Sequence, residues 1–213
     1  MQRWSVVVPA KRLVAAKTRL GPLTAPLGDA GHADLVLALL ADTVAAALAA
    51  PSVGLLLVVT DDPRAADVVT ELGARTVGDE PDSGLNAALD HGARRARALA
   101  DQPVAALSSD LPALTPGELS AALQEAAVVP RAFVADAAGS GTTLLAVRAG
   151  ELDPRFGPGS AAAHATGGAV PLDGAWPGLR QDVDTPADLH TACSLGVGPR
   201  TAGFLSATSW PSE

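Results

Sequence analysis

The sequence predicts an α/β protein with a mainly parallel central sheet and an antiparallel extension, on three observations. Short apolar runs alternate with helix-length Ala/Leu segments as far as Val129, the pattern of strand–helix–strand units with right-handed crossovers. After Val129 two strand-like runs follow one another across a short turn, Asp136-Ala-Ala-Gly-Ser-Gly141, a spacing that suits antiparallel pairing. The apolar supply, 48% of the chain, is Ala, Leu and Val with three Phe, three Trp and no Tyr. Small aliphatic side chains suit helices packed on a parallel sheet.

Each element has its own signal. Trp4 to Val8 is a short apolar, β-branched run, which reads as a buried strand. Asp29 to Ala50 is a long Ala/Leu helix that stops at Pro51. Val53 to Thr60 is the second strand, and Asp61-Asp62-Pro63 opens a helix with an acidic cap and Pro in its first turn. Gly73 ends that helix before a brief strand, Ala74 to Val77. Gly84 to Ala100 is helical, with Arg94, Arg95 and Arg97 on later turns where cations suit the helix dipole. Pro103 to Leu107 is the fourth strand, and Thr115-Pro-Gly-Glu118 starts a helix as a capping box. Arg131 to Ala135 and Thr142 to Val147 are the antiparallel pair. A short helix begins near Ser160, and Thr185-Pro-Ala-Asp188 caps the last one after the extended Gln181 to Asp184. From Gly196 onward no periodicity is visible. One domain over residues 1–199 is expected, with 200–213 as a flexible, loosely attached tail.

Charge narrows the function. The 213 residues carry a net charge of −8, which argues against a nucleic-acid partner, since that normally needs a basic face. A single Cys193 leaves no intramolecular disulfide and suits a reducing, cytoplasmic compartment. The N-terminal apolar run is too short for a signal peptide. Asp34 and Asp42 interrupt the most apolar region, so no membrane span is expected.

Against that acidity stands one cationic loop. The only two lysines, Lys11 and Lys17, lie with Arg12 and Arg19 directly after the first strand. A local positive site on a negative protein points to a small polyanion such as a nucleoside triphosphate, or else to a solvated basic turn. The loop is no GxxxxGK[ST] phosphate loop, because no glycine precedes Gly21, so side chains must grip the phosphates. Asp110 leaves the fourth strand at its carboxyl end, where open α/β sheets bind ligands. Asp182 and Asp184 share one side of an extended segment. Such carboxylates cap helices, or they hold one or two Mg²⁺ ions against a triphosphate. Ser160, beside Gly157 and Gly159, offers a hydroxyl and backbone N–H groups to an anion, or serves as an ordinary cap. Thr142 follows the Gly-rich turn, and Asn86 opens a helix whose polar residues suit a purine edge or simple capping. His164 and His91 read as structural, and Cys193 as a small buried hydrophobe.

Taken together, Ala10–Leu20, Gly84–Leu89, Ser109–Leu114, Gly139–Thr142, Arg155–Ser160 and Asp182–Leu189 resemble the phosphoenolpyruvate and 2-phospho-L-lactate guanylyltransferases of coenzyme F-420 biosynthesis. The segments occur in family order across nearly the whole chain. The resemblance implies a single-domain, Rossmann-like nucleotidyltransferase fold. It implies a Mg²⁺-dependent transfer of GMP from GTP to phosphoenolpyruvate or 2-phospholactate, with release of pyrophosphate. By the same resemblance Asp110, Asp182 and Asp184 bind two Mg²⁺ ions. Thr142, Gly157 and Ser160 hold the phosphorylated three-carbon acid. Lys11, Arg12, Lys17 and Arg19 look like the GTP cations, with Lys11 and Lys17 catalytic beside Asp110 and Asp182, and Asn86 resembles part of the guanine pocket. Gly159 and Ala161 depart from relatives that carry more polar residues there. A downstream transferase that takes the guanosine-diphospho product is an implied partner. Two other readings are another nucleotidyltransferase on this fold, molybdopterin-type or sugar-nucleotide, and an inactive GTP-binding regulator. An enzyme would release pyrophosphate, whereas a regulator would bind GTP without doing so.

Overall fold

The computed structural model describes residues 2–10, 13, 17–80 and 82–208. Seven strands form one sheet in the order β3-β2-β1-β4-β6-β5-β7. They are β1 (Trp4–Pro9), β2 (Val53–Val59), β3 (Arg75–Val77), β4 (Val104–Leu107), β5 (Arg131–Ala135), β6 (Thr142–Val147) and β7 (Val170–Pro171). β1 pairs parallel with both β2 and β4, and β2 with β3. β6 runs antiparallel between β4 and β5, as the turn after Ala135 predicts. The reversal brings the start of β6 to the same end of the sheet as the carboxyl end of β4, where Ser108 N–H donates to the Thr143 carbonyl at 2.8 Å.

The helices are α1 (Gly21–Thr24), α2 (Gly28–Ala49), α3 (Pro63–Glu71), α4 (Leu85–Leu99), α5 (Pro116–Ala126), α6 (Ser160–Thr166), α7 (Pro177–Arg180), α8 (Pro186–Leu195) and α9 (Pro199–Ala207). The predicted caps form. Asp62 accepts from Arg64 and Ala65 N–H at the start of α3, and Thr115 and Thr185 close capping boxes with Glu118 and Asp188. Two apolar layers flank the sheet. Trp4, Val6, Leu56 and Leu119 are fully or nearly fully buried in one, and Val7, Leu57, Leu89 and Leu145 in the other. α4 comes so close to the sheet that a β-carbon on Gly92 would lie 2.5 Å from Val7 Cγ1 and 2.6 Å from Val59 Cγ2.

Two expectations need correction. Residues 200–207, expected in a loose tail, lie in α9, docked on α2. Its first-turn N–H groups, those of Arg200 and Thr201, donate to the Asp42 carboxylate at 3.0 and 2.8 Å. Asp42 therefore interrupts the apolar stretch of α2 because it caps another helix, 4% exposed and satisfied by backbone donors. Nor do Asp34 and Asp42 deny that stretch membrane-spanning length. Ala25–Ala49 is long and apolar enough to cross a membrane by length and composition, although most of it is buried inside this fold.

Candidate active site

The carboxylates converge through backbone, not through strand alternation. Asp182-Val-Asp184 is irregular rather than a strand. Val183 is fully buried, and its N–H donates to the Asp110 carbonyl at 3.1 Å, which fixes the acidic segment against the β4 exit. That exit is itself held from below. Thr43 of α2 gives its hydroxyl proton to the Leu39 carbonyl at 2.8 Å and accepts from Leu111 N–H at 2.9 Å. Asp110 is 7% exposed.

Lys17 joins these pieces. Its ammonium ion-pairs with Asp110 and, at 2.5 Å, with Asp184 Oδ1. The residue has a φ of +54°, a conformation that costs a non-glycine residue on the order of 1–3 kcal/mol and clusters at functional sites. Leu13, in the same loop, donates its N–H to Asp62 Oδ2 at 3.0 Å. Arg19 follows, largely exposed. Lys11 and Arg12 lie outside the described residues, so their expected grip on phosphate has no structural counterpart here. Burial raises the Asp182 carboxyl to about 6; Lys17 opposes the shift, and Asp184 and Asp136 add to it.

Among the described residues no three His, Cys, Asp or Glu side chains are grouped as a ready-made metal site. Asp110 and Asp184 nevertheless already converge on one cation, the Lys17 ammonium. Two hard oxygen donors fit Mg²⁺, which commonly takes one or two carboxylates and completes its shell with water and phosphate.

The second group of candidate residues lies on the β5–β6 turn and α6. Asp136 accepts from Ser140 and Gly141 N–H at 2.9 and 2.8 Å, and Ala161 N–H donates to the Ser140 carbonyl at 3.1 Å. Thr142 stands at the start of β6 and Ser160 at the start of α6, 7% and 1% exposed. Ser160 Oγ is buried with no hydrogen-bond partner among the described residues. Gly157 has φ +129°, with open space where a side chain would go. It is needed for backbone conformation rather than for room.

Asn86, expected in the guanine pocket, hydrogen-bonds a neighbouring loop. Its amide donates to the Phe156 carbonyl at 3.1 Å and accepts from Phe156 N–H at 2.8 Å, so both ends clamp the Arg155–Ser160 loop. His164, which the sequence reads as structural, is buried in the same region. It is 1% exposed, its Nδ1 lies 2.9 Å from Thr142 Oγ1, and its Nε2 is 2.9 Å from the Arg155 backbone nitrogen. Burial, with Arg131 and Arg155 nearby, lowers its pKa to about 4, while Asp153 opposes. Its spacing from Thr142 held no signal, because the two meet only through the packing of α6 on the sheet.

Residues 4–168 match the family described as guanylyl transferase CofC like. The chain belongs to that family. It is 62% identical to a phosphoenolpyruvate guanylyltransferase of Geodermatophilus obscurus, over 99% of this chain and 98% of that protein. It is 56% identical to the phosphoenolpyruvate guanylyltransferase of Streptomyces scabiei, over 99% of this chain and all of that one. A solved nucleotidyl transferase from Methanothermobacter shares the fold, with a TM-score of 0.64 at 22% identity, over 92% of this chain and 98% of that one. A cytidylyltransferase from Leptospira borgpetersenii superposes with a TM-score of 0.59 at 10% identity, covering 98% and 94% of the two chains. The α/β, Rossmann-like expectation holds, and this guanylyltransferase family is the one that the motifs resembled.

Proposed function

We propose that this protein transfers GMP from GTP to phosphoenolpyruvate, giving enolpyruvyl-2-diphospho-5′-guanosine and pyrophosphate. The carrying observation is the Lys17 ammonium held between Asp110 and Asp184 at the sheet edge, in a chain 62% identical to a protein named for that reaction. The acceptor phosphate is already ionised at neutral pH, so the reaction needs positioning and charge neutralisation rather than a general base. Asp110 and Asp184, with Asp182 beside them, would hold Mg²⁺. Bound there, the ion would supply Lewis-acid polarisation of the nucleotide phosphate. Lys17 and Arg19, with Lys11 and Arg12, would take up charge on the departing pyrophosphate. Thr142, Ser160 and the backbone at Gly157 would hold the three-carbon acid. The orphan hydroxyl of Ser160 supports that role, because a buried polar group without a partner is costly until a ligand supplies one. The mixture of one cationic loop and net negative charge supports a small-molecule reaction without nucleic acid, and the single Cys193 suits the cytoplasm. A downstream transferase would receive the product.

The test is Mg²⁺-dependent pyrophosphate release with GTP, ATP or CTP, each with phosphoenolpyruvate, 2-phospho-L-lactate, 3-phosphoglycerate or no acceptor. Release is expected with GTP and phosphoenolpyruvate. Release with another acceptor alone would replace the substrate; GTP binding with no release from any pair would refute catalysis.

A further inference from the structure

We infer that His164 is a positioning residue for the acid substrate: it fixes the Thr142 hydroxyl as a donor and ties that hydroxyl to the Arg155 loop. This rests on the proposed acid pocket, and goes beyond it by giving a function to a group outside the contact set.

The hydrogen-bond network assigns the tautomer. Arg155 N–H can only donate, and it points at His164 Nε2 at 2.9 Å, so Nε2 must be the bare, accepting nitrogen. A neutral imidazole then carries its proton on Nδ1, and Nδ1–H donates to Thr142 Oγ1 at 2.9 Å. With one lone pair of Thr142 taken by that bond, the hydroxyl proton must go elsewhere. Among the described residues the hydroxyl's hydrogen-bond partner is the imidazole, which leaves its proton for an acceptor such as a phosphate or carboxylate oxygen. An anion needs a donor at that point, and a hydroxyl turned the other way would present lone pairs and repel it.

The ring is held against rotation. Phe156 packs edge-on at a centroid distance of 5.3 Å with planes at 72°, and Phe133 lies at 6.0 Å and 42°. Phe156 is itself clamped at both backbone groups by Asn86. Burial first, and then the neighbouring Arg131 and Arg155, favour the neutral ring, while Asp153 opposes them. A chain of contacts thus runs from Asn86 through Phe156 and His164 to the Thr142 hydroxyl.

Two conservative variants divide the imidazole. Gln at 164 can place an acceptor near the Nε2 position but lacks the Nδ1 donor; Asn can do the reverse. His164→Gln should raise KM for phosphoenolpyruvate about tenfold, the scale of one hydrogen bond to a charged group, with KM for GTP unchanged. Thr142→Val should give a similar or larger loss. In the double variant the two losses should not add, because the histidine acts through that hydroxyl. Additive losses, or a normal acid KM in His164→Gln, would overturn the role of His164 while the pocket stands. A normal acid KM in Thr142→Val would overturn the pocket and this inference together. A second measurement needs no variant: ¹⁵N NMR of the imidazole at neutral pH should show Nδ1 protonated and Nε2 bare. The opposite tautomer would overturn the assignment.

Discussion

Asp182 and His164 titrate in opposite senses. The folded Asp182 carboxyl titrates near 6 against an ordinary 3.8, so the folded chain holds a proton that the unfolded chain has released. Its contribution to stability is full below 3.8 and is lost as pH rises through 6. His164 titrates near 4 in the fold against an ordinary 6.5, so its contribution is full above 6.5 and is lost as pH falls through 4. Between pH 4 and 6 the slopes oppose each other. Asp182→Asn should therefore steepen the loss of Tm on acidification across that window, and His164→Gln should flatten it. Melting curves taken at half-unit pH steps decide this, and superimposable profiles for all three proteins would refute both assignments. For chemistry, Asp110→Asn or Asp182→Asn should reduce kcat by more than about a hundredfold, the scale of a lost charge-stabilising group, with the fold intact by circular dichroism. Near wild-type turnover in either would remove that residue from the site. The residue scale also marks a limit of sequence reading. Asp110 was legible as a carboxylate at a strand end, whereas the clamp made by Asn86 was not, because its partner Phe156 lies 70 positions away.

At the scale of elements, local signals and distant ones separate clearly. β5 and β6 match their sequence-predicted bounds because apolar runs and a Gly-rich turn mark both ends. α9 was invisible because its N-terminus has no side-chain cap of its own, Gly198 standing there. The capping carboxylate comes from Asp42, 158 positions from Arg200, and the buried Leu205 packs in the cluster containing Leu35 and Leu39. Asp42→Ala should cost about 1–2 kcal/mol, as for loss of a helix cap, and lower Tm by roughly 2–8 °C for a chain of this size. An unchanged Tm would mean that α9 contributes nothing to the fold. Gly92→Ala should be destabilising for a different reason. The added methyl would stand 2.5 Å from Val7 Cγ1 on the central strand, an overpacking cost of about 1–3 kcal/mol that chemical denaturation would measure as a lower midpoint with an unchanged slope.

Across the whole molecule, the site is a contact between three parts of the chain that only the sheet brings together: the loop after β1, the exit of β4 and the segment before α8. The sequence showed the charges at each, Lys17 among them, but their meeting depends on the Val183–Asp110 backbone bond and on which carboxylates Lys17 reaches, neither of which leaves a mark in local composition. Lys17 now balances two carboxylates that would otherwise face one another with little compensation. An ammonium and a divalent cation would then compete for the same oxygens. Lys17→Met removes the internal cation, and should lower Tm in metal-free buffer because a carboxylate loses its partner in a partly buried setting. It should also increase the stabilisation given by added Mg²⁺ without nucleotide, since binding to the native state raises Tm by mass action and the competing ammonium is gone. The comparison is the Mg²⁺-induced Tm shift in wild type, in Lys17→Met and in Lys17→Met combined with Asp110→Asn. A larger shift in the single variant that disappears in the double one is the expected outcome. Equal shifts in all three would mean that the ion binds elsewhere, and would leave Lys17 as a structural counterion rather than the occupant of a cation site.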